Sequence, residues 1–334
     1  MATVLFSCPM DVERRAVLVS RAKGAFDAVI LEDRPEDHRD EAWSQADVLV
    51  CSGFGAEIPE DVAAKAPRLK MIQALVAGVD HLPYDRIPPS VLVCGNAGAY
   101  NTSVAEHAMA LLLAGTKDVP RRTDEIRRGT FDQEVMNKAL AGSTVVVAGM
   151  GGVGSEVARL CKAFRAKVIG LTPGGTVVPP ADEGATLDDL LRVAPRADAL
   201  VIALPLTAET EGLVDRTILG AMKEDAVLVN IARGKIVVED DLYDHLKAHP
   251  NFRAALDVWW SYPRGRIGRP FHRPFHELPN VVMTPHIAFA IPEQKAHSME
   301  AALDNVMRFL QGVTPRHVVD ATEYQGPPRD GPGI

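Results

Sequence analysis

A cluster of four glycines constrains the fold of this chain more than any other feature. It reads Gly-Met-Gly-Gly-Val-Gly from residue 149. An apolar, β-branched run at residues 144–148 comes directly before it, and a segment rich in helix formers, residues 155–163, follows. A strand that passes through such a turn into a helix is the arrangement that binds the pyrophosphate of a dinucleotide. Gly149 would permit the tight turn, Gly151 would let the backbone approach the phosphates, and Gly154 would let the helix pack closely on the sheet. The expected cofactor contacts at the turn are Gly149, Gly151, Gly152, Val153 and Gly154.

The residue at the end of the next strand bears on the choice of dinucleotide. That strand is predicted at residues 167–171, and Thr172 follows it. Enzymes that use NAD usually have an acidic residue here, which accepts hydrogen bonds from the adenosine ribose. Threonine removes the charge repulsion against the 2′-phosphate of NADP, but no arginine follows that would attract this phosphate. We therefore expect NAD or NADP as the cofactor, with NAD slightly favoured.

The distribution of apolar runs predicts two α/β domains. At 334 residues the chain exceeds what one hydrophobic core usually serves. Short apolar runs alternate with helical patterns before and after a helix-forming segment at residues 103–116 that is apolar nearly all round. This alternation is typical of parallel sheets with helices on both faces. We expect one domain from residues 1–101 plus 290–334 and a Rossmann dinucleotide-binding domain from residues 102–289, with a loose tail at 327–334.

Composition excludes several classes of partner. The formal net charge is −8, and nucleic acids and anionic membranes are bound by clustered positive charge. The sequence lacks a stretch of about 18 apolar residues and a secretory signal. The four cysteines have neither paired nor zinc-type spacing, which favours reduced thiols. We expect a cytoplasmic protein with no metal site, no nucleic-acid partner and no membrane partner.

Further motifs occur in a fixed order along the chain. They lie at residues 69–73 with 77–80, 104–107, 203–207 with 209–210, 230–234, 255–259 and 284–288. In this order they resemble the motifs of the D-isomer-specific 2-hydroxyacid dehydrogenase family, over residues 69 to about 320. The resemblance implies hydride transfer between NAD(P)H and a small 2-oxo acid, such as glyoxylate or hydroxypyruvate, to give the D-2-hydroxy acid. It also implies a small anionic substrate, a homodimer and a flavodoxin-like first domain that binds the substrate.

Two residues in these motifs suit that reaction by their own chemistry. Reduction of a 2-oxo acid needs a fixed cation that holds the carboxylate and polarises the carbonyl, and the guanidinium of Arg233 binds two oxygens at once. The alkoxide that forms must gain a proton, and the imidazole of His286 titrates in the appropriate range. Arg233 is therefore the candidate substrate-binding cation, and His286 is the candidate acid–base residue.

The resemblance assigns further roles that the residues alone do not. The backbone of Ala77 and Gly78 would bind the substrate carboxylate, and Tyr100 and Asn101 would contact substrate. Asp257 would hydrogen-bond the nicotinamide carboxamide or its surroundings. The remaining residues expected to contact the cofactor are Leu204, Pro205, Thr210, Ile231 and Ala232.

Tyr262 departs from the family pattern. A glutamate usually stands at this position, five residues after the motif aspartate, and raises the pKa of the catalytic histidine. Formate dehydrogenases of the same family have glutamine here, so oxidation of a simple anion such as formate is an alternative function. A second alternative is an NAD(H)-sensing protein that resembles a corepressor, although Arg233 and His286 weigh against it. Glu277 is a less favoured replacement for the missing carboxylate.

Residues 263–279 form an unusual loop between the last two motifs. The loop contains four arginines, at positions 264, 266, 269 and 273, in an otherwise acidic chain. One or two of them are candidates to meet an anionic substrate tail or a cofactor phosphate, but a solvated or subunit-contacting loop is the favoured interpretation. His272 and His276 have metal-like spacing, but the prolines at 270 and 274 disfavour the regular helix that would align them.

Overall fold

The structure is a computed structural model that describes residues 1–52, 57–263 and 267–324. The described residues divide into two compact units, one formed by Met1–Tyr100 with residues 291–324, the other by Asn101–Ala290. The boundaries expected from the sequence lie one residue from these. The predicted tail at 327–334 lies outside the described residues. No helix in the described ranges is long and apolar enough to cross a membrane.

The first unit contains a five-stranded parallel sheet in the order β2-β1-β3-β4-β5. Its strands are β1 Thr3–Phe6, β2 Asp27–Ile30, β3 Val48–Cys51, β4 Met71–Ala74 and β5 Leu92–Cys94. Its helices are α1 Val12–Ala22, α2 Arg39–Gln45, α3 Val62–Lys65 and α10 Gln294–Leu310. The side chain of Asp11 caps α1 by accepting from the backbone N–H of Arg14 at 3.0 Å, and it also pairs with Lys295 of α10 at 2.8 Å. This aspartate therefore starts one helix and ties it to another.

The second unit contains a seven-stranded parallel sheet in the order β12-β11-β10-β9-β6-β7-β8. Its strands are β6 Thr144–Ala148, β7 Lys167–Leu171, β8 Glu183–Ala185, β9 Ala199–Ile202, β10 Val227–Asn230, β11 Arg253–Leu256 and β12 Val281–Met283. Its helices are α4 Asn101–Thr116, α5 Val119–Arg127, α6 Gly152–Ala163, α7 Leu190–Val193, α8 Arg216–Ala221 and α9 Glu239–Ala248. The predicted fold class, parallel α/β sheets with a Rossmann arrangement, is confirmed.

The apolar runs became strands because both faces of each sheet are covered. β1, β3, β4, β9 and β10 are buried along their whole length, as expected of parallel strands between helical layers. Helix α4 is apolar nearly all round because it packs on α6 and, on another side, against β10 and β11.

Each sheet reverses its strand order at one point. In the first unit this point lies between β1 and β3, and in the second it lies between β6 and β9. All strands of a sheet point the same way, so the loops at their carboxyl ends meet at one edge. Ligands of open parallel sheets bind in the crevice beside such a switch point.

Candidate active site

The glycine turn lies at the switch point of the second sheet. Gly149 follows β6 with φ +96°, a left-handed conformation that favours glycine. A Cβ at Gly149 would lie 2.5 Å from the carbonyl oxygen of Ala203, which follows β9. A Cβ at Gly154 would overlap the carbonyl oxygen of Gly149, whereas a Cβ at Gly151 would meet open space. Two of the glycines therefore permit close backbone packing, and the third leaves room beside the turn.

The amino terminus of α6 is open to a ligand. Gly151 occupies the cap position, and no side chain among the described residues caps the helix. The backbone N–H of Ser155 makes the first helical bond, to the carbonyl oxygen of Gly151 at 2.9 Å. The N–H groups of the first turn point along the helix axis and carry partial positive charge, so the turn fits a pyrophosphate.

Asn101, a predicted substrate contact, lies beside this turn. It is the first residue of α4, and its side-chain amide packs on Gly152, where a Cβ would lie 2.6 Å from Oδ1 of Asn101. The structure thus brings Asn101 together with the glycines that are predicted to bind the dinucleotide.

Thr172 follows β7 at the carboxyl edge of the same sheet. Its hydroxyl donates to the carbonyl oxygen of Thr176 at 3.3 Å, and the N–H of Gly175 donates to the carbonyl oxygen of Thr172 at 3.1 Å. The threonine is buried within its own turn, and it places no charge where an acidic residue would meet the ribose.

The segment after β9 is held by Thr210. The hydroxyl of Thr210 donates to the carbonyl oxygen of Pro205 at 2.7 Å and accepts from the N–H of Thr207 at 2.8 Å. These bonds fix the turn that carries Leu204 and the exposed Pro205, both predicted to contact the cofactor. The structure gives Thr210 a supporting place within this segment.

Arg233 is positioned by Asn230, which the sequence analysis did not single out. Asn230 ends β10 and is buried. Its side chain donates to the carbonyl oxygen of Arg233 at 2.8 Å and accepts from the N–H of Ala232 at 3.1 Å. A Cβ at Gly234 would overlap the backbone of Trp259, so this loop lies directly against the loop that follows β11. The motif 230–234 is thus a small self-bonded turn that fixes the backbone of Arg233, and it includes Ile231 and Ala232.

Asp257 anchors the loop that carries His286. The aspartate is fully buried after β11. It accepts from the N–H groups of Ile287 and Ala288, at 3.0 Å each, and from the hydroxyl of Thr284 at 2.6 Å. Charge-assisted bonds of this kind are among the stronger ones in proteins. Asp257 therefore holds the loop that carries His286, the acid–base candidate.

His107 joins this network. Its Nε2 lies 3.0 Å from the hydroxyl oxygen of Thr284 and 3.4 Å from Oδ1 of Asp257. The threonine hydroxyl has one proton, which it donates to the aspartate, so Nε2 of His107 must be the donor toward both groups. The place of His107 on an apolar helix favours a structural role in the sequence, but gives no sign of a partner 177 residues away.

The ring of His286 lies against two aromatic side chains. The His286 and Tyr262 ring centroids are 5.5 Å apart, and those of His286 and Phe289 are 6.0 Å apart. The Tyr262 hydroxyl accepts from the N–H of Trp259 at 3.4 Å. Tyr262 therefore lies beside the acid–base candidate, at the position where the motif resemblance predicts a carboxylate. Glu277, the alternative carboxylate, has its oxygen 3.7 Å from Nε2 of His276.

Two tryptophans connect the loops around the site. Nε1 of Trp259 donates to the carbonyl oxygen of Thr284 at 2.9 Å, and Nε1 of Trp260 donates to that of Val237 at 2.7 Å. Both indoles are buried. The loops after β10, β11 and β12 are therefore linked by side-chain bonds as well as by their strands.

Two residues of the arginine-rich loop pair with acidic side chains of α9. The guanidinium of Arg273 pairs with Asp240 at 2.7 Å and Asp244 at 2.9 Å and lies over the ring of Tyr243. His272 pairs with Glu239 at 2.7 Å. Arg273 is thus held on a helix surface. Arg264 and Arg266 lie outside the described residues.

The predicted substrate residues of the first unit follow β4. Ala77 is exposed and Gly78 half-buried. The backbone before them is held by Asn96, whose N–H donates to the carbonyl oxygen of Val76 at 2.9 Å and whose side chain donates to that of Leu75 at 3.1 Å. The hydroxyl of buried Tyr100 donates to the same Leu75 oxygen. Tyr100 therefore supports the turn that presents Ala77 and Gly78.

Fold and site together define a Rossmann dinucleotide-binding protein with a second parallel α/β unit. A family model described as the NAD-binding domain of D-isomer specific 2-hydroxyacid dehydrogenases matches residues 109–288. The chain belongs to this family, as its motifs predicted, and the expectation of NAD or NADP as the cofactor is confirmed.

Relatives of known name are similar over most of the chain. D-3-phosphoglycerate dehydrogenase of Methanocaldococcus jannaschii is 32% identical over 84% of this chain and 53% of its own length. The chain thus spans about half the length of the phosphoglycerate dehydrogenases it matches first.

Two solved structures are similar over nearly the whole chain. One is described as a candidate formate dehydrogenase from Pyrobaculum aerophilum, with 31% identity, a TM-score of 0.77 and coverage of 97% of this chain and 100% of its own. The other is NADPH-dependent glyoxylate/hydroxypyruvate reductase from Sinorhizobium meliloti in complex with NADP and sulfate, with 25% identity, a TM-score of 0.80 and coverage of 97% and 100%.

Proposed function

We propose that this chain is an oxidoreductase that transfers a hydride between NAD(P)H and a small 2-oxo acid, giving the D-2-hydroxy acid. One observation carries the proposal. The glycine turn, Thr172, the 204–210 segment, Arg233, Asp257 and His286 follow six different strands of one parallel sheet, so their loops meet at a single edge. A binding turn, a fixed cation and an imidazole at one sheet edge are the groups that such a reaction needs.

The chain's own residues fit a dinucleotide. The open space beside Gly151 and the uncapped start of α6 suit the pyrophosphate. When bound, the nicotinamide supplies or accepts the hydride. The 204–210 segment and the Asn230 turn would hold the nicotinamide end, and the neutral turn at Thr172 accommodates the adenosine ribose with or without a 2′-phosphate.

Arg233 and His286 divide the remaining chemistry. The guanidinium of Arg233 binds the substrate carboxylate through two parallel hydrogen bonds and polarises the carbonyl. In the reductive direction the imidazolium of His286 donates its proton to the developing alkoxide, and in the oxidative direction the neutral imidazole takes the hydroxyl proton. Asp257 keeps the His286 loop in place, which fixes where that proton is delivered.

The relatives support the proposed substrate class. The Sinorhizobium reductase is named for glyoxylate and hydroxypyruvate, and the same edge of the sheet is available here for a small anion. We also infer a homodimer, from the resemblance alone, and a cytoplasmic location, from the composition.

Formate oxidation is the second candidate. It is favoured by Tyr262, a neutral residue 5.5 Å from the His286 ring between centroids, and by the similarity to the Pyrobaculum structure. Oxidation of formate to carbon dioxide leaves no alkoxide, so it has no need of a carboxylate that sustains imidazolium.

Steady-state assays separate these functions. We expect reduction of glyoxylate or hydroxypyruvate with NADH or NADPH to exceed formate oxidation with NAD or NADP. Arg233→Met should lower kcat/KM on the 2-oxo acids by roughly a thousandfold, on the order of the loss of a substrate-positioning clamp. Arg196→Met, which removes an exposed pair with Glu183, is the matched control and should retain parental rates.

Two results would contradict the proposal. Formate turnover above that of every 2-oxo acid would establish the second candidate. Tight NADH binding without turnover on any of these substrates would instead favour a dinucleotide-sensing protein that resembles a corepressor.

A further inference from the structure

The crevice at the switch point of the first sheet contains a polar cluster to which no role has yet been assigned. Ser7 follows β1 and Ser52 follows β3, the two strands between which the strand order reverses. Ligands of sheets with this strand order bind beside the carboxyl ends of these two strands. The turn with Ala77 and Gly78 follows β4, the neighbour of β3. Neighbouring strands are about 4.8 Å apart, so one small molecule can reach both places.

Arg14 and Glu57 supply opposite charges to this crevice. Arg14 lies in the first turn of α1, and its Nη1 donates to the carbonyl oxygen of Pro9 at 2.7 Å. Oε2 of Glu57 accepts from the N–H of Ser52 at 2.6 Å. Burial raises the pKa of the Glu57 carboxyl, and the positive charge of Arg14 lowers it by less. Burial also raises the pKa of the Tyr100 hydroxyl, and the positive charge of Arg14 lowers it by less. The guanidinium is therefore within electrostatic range of both β3 and the Tyr100 support of the β4 turn.

Two polar atoms of the cluster have no hydrogen-bond partner within the part of the chain that the structure describes. Oγ of Ser7 and Nε of Arg14 are both shielded from solvent, and neither makes a hydrogen bond to any of the described residues. Buried polar groups are nearly always bonded, and an unsatisfied one is costly. A guanidinium N–H and a serine hydroxyl that are buried without a partner at a switch point indicate a place for a ligand oxygen.

The charges of the cluster indicate which type of ligand oxygen would fit it. Arg14 offers a donor, Glu57 offers an acceptor, and Ser7 offers either. The two charges compensate each other, so a second carboxylate or a phosphate would be repelled by Glu57. A hydroxyl group both accepts and donates, which matches the pair without adding charge.

We propose that Ser7, Arg14 and Glu57 form a subsite for an uncharged, hydroxyl-bearing end of the substrate, distal to its 2-oxo acid group. This inference rests on the proposed function. It makes Arg14 a residue that sets specificity by contact with the substrate, and it predicts a preference for hydroxylated 2-oxo acids over unsubstituted or dianionic ones.

The test compares substrates that differ by one hydroxyl. Values of kcat/KM are measured on the purified full chain for hydroxypyruvate against pyruvate and for 4-hydroxy-2-oxobutanoate against 2-oxobutanoate, with oxaloacetate as the dianion. The hydroxyl preference is the ratio within each pair. We expect the parent to prefer the hydroxylated member of at least one pair. In Arg14→Met this ratio should fall about tenfold, because a hydrogen bond to a charged group is lost.

Further variants distinguish a specific loss of the subsite from a general loss of the fold. Arg21→Met removes another α1 arginine, which pairs with Asp304 at the surface, and should keep the parental ratio. Ser7→Ala deletes one oxygen and should lower the ratio by less than Arg14→Met does. Glu57→Gln keeps the side-chain shape and should raise kcat/KM for oxaloacetate relative to pyruvate.

The outcomes separate this inference from the function on which it rests. If the parent reduces neither glyoxylate nor any of the five 2-oxo acids with either dinucleotide, the proposed function is wrong and the subsite inference falls with it. If it reduces glyoxylate but none of the five, the subsite alone is wrong. If the parent reduces them but shows no hydroxyl preference, or if folded Arg14→Met and Ser7→Ala keep the preference within twofold, the subsite alone is wrong.

Discussion

Tyr262 is the residue of the candidate active site at which the motif resemblance predicts a departure from the family. Its ring lies 5.5 Å from that of His286 between centroids, at an angle of 43°. A phenol holds the imidazole by contact, but it carries no charge that would stabilise the protonated form. Tyrosine and glutamate at this position therefore differ in the pH up to which they allow His286 to keep its proton.

Tyr262→Glu should move the pH dependence of 2-oxo acid reduction. A carboxylate beside His286 favours imidazolium, so the pKa of His286 should rise by about one unit. Reduction needs the protonated ring, so the alkaline limb of the kcat/KM profile should move to higher pH by the same amount. The measurement is a pH–rate profile of the variant beside the parent.

Tyr262→Gln is the control, since it has nearly the shape of glutamate without the charge. Its profile should keep the parental limb. An unchanged limb in the glutamate variant, with activity retained, would mean that residue 262 does not set the proton affinity of His286.

The residues that carry the chemistry could be predicted from the sequence, but the residues that hold them in place could not. The motifs predicted Arg233 and His286, whose side chains suit the reaction by type. Asn230 and Trp260 were not predicted as supports, because their bonds run to backbone oxygens such as that of Val237. Such partners become neighbours only after the sheet has formed.

Strands could be predicted from the sequence where helices cover both faces of the sheet, because such strands are apolar along their length. The apolar run at 144–148 is β6 without a change of bounds. Of the apolar run at 199–204 only residues 199–202 form β9, and Pro205, which has no N–H to donate, follows the run. Strand β8, Glu183–Ala185, was missed. Its three residues contain no apolar run, and it exists because β7 offers an edge for pairing.

The packing of α6 on β6 gives a prediction about glycine. Gly154→Ala gains about 1 kcal/mol of intrinsic helix propensity, but its Cβ would overlap the carbonyl oxygen of Gly149. Backbone cannot move aside as a flexible side chain can, so the overlap should dominate. We expect the free energy of unfolding to fall by about 1–3 kcal/mol, measured by urea denaturation without cofactor.

Gly151→Ala is the matched comparison within the same turn. A Cβ there meets open space, so the free energy of unfolding should stay near that of the parent. NADH affinity, followed by its fluorescence, should nevertheless fall, because that space is where the pyrophosphate would approach. Equal destabilisation of the two variants would contradict the assigned division between packing and binding.

At the scale of the whole molecule, the half-buried His245 links stability to pH. His245 of α9 stacks on His249, with 4.1 Å between ring centroids, and meets Phe252 edge-on at 4.6 Å. Burial, with a smaller contribution from His249, lowers the pKa of His245 to about 4. The native state therefore keeps this ring neutral over a range in which an unfolded chain protonates it.

This shift predicts a loss of stability in mild acid. The unfolded state binds more protons between the unperturbed pKa of about 6.5 and the native value of about 4. The contribution of His245 is thus fully present above pH 6.5 and is lost as the pH falls toward 4. His245→Phe should flatten the decline in urea midpoint over this range. His38→Gln, which replaces an exposed histidine, should not, and an equal decline in parent and His245→Phe would count against the assignment.

The backbone of His286 limits what can replace it. Its φ is +57°, in the left-handed region, where asparagine, aspartate and glycine are tolerated and β-branched residues are strained. Among single replacements, asparagine removes the proton-transfer group with the least disturbance of the loop held by Asp257. Few substitutions at this position are therefore neutral. In a lineage that no longer needed the imidazole, we expect a short polar residue or glycine at position 286, or a changed backbone conformation in the 284–288 turn.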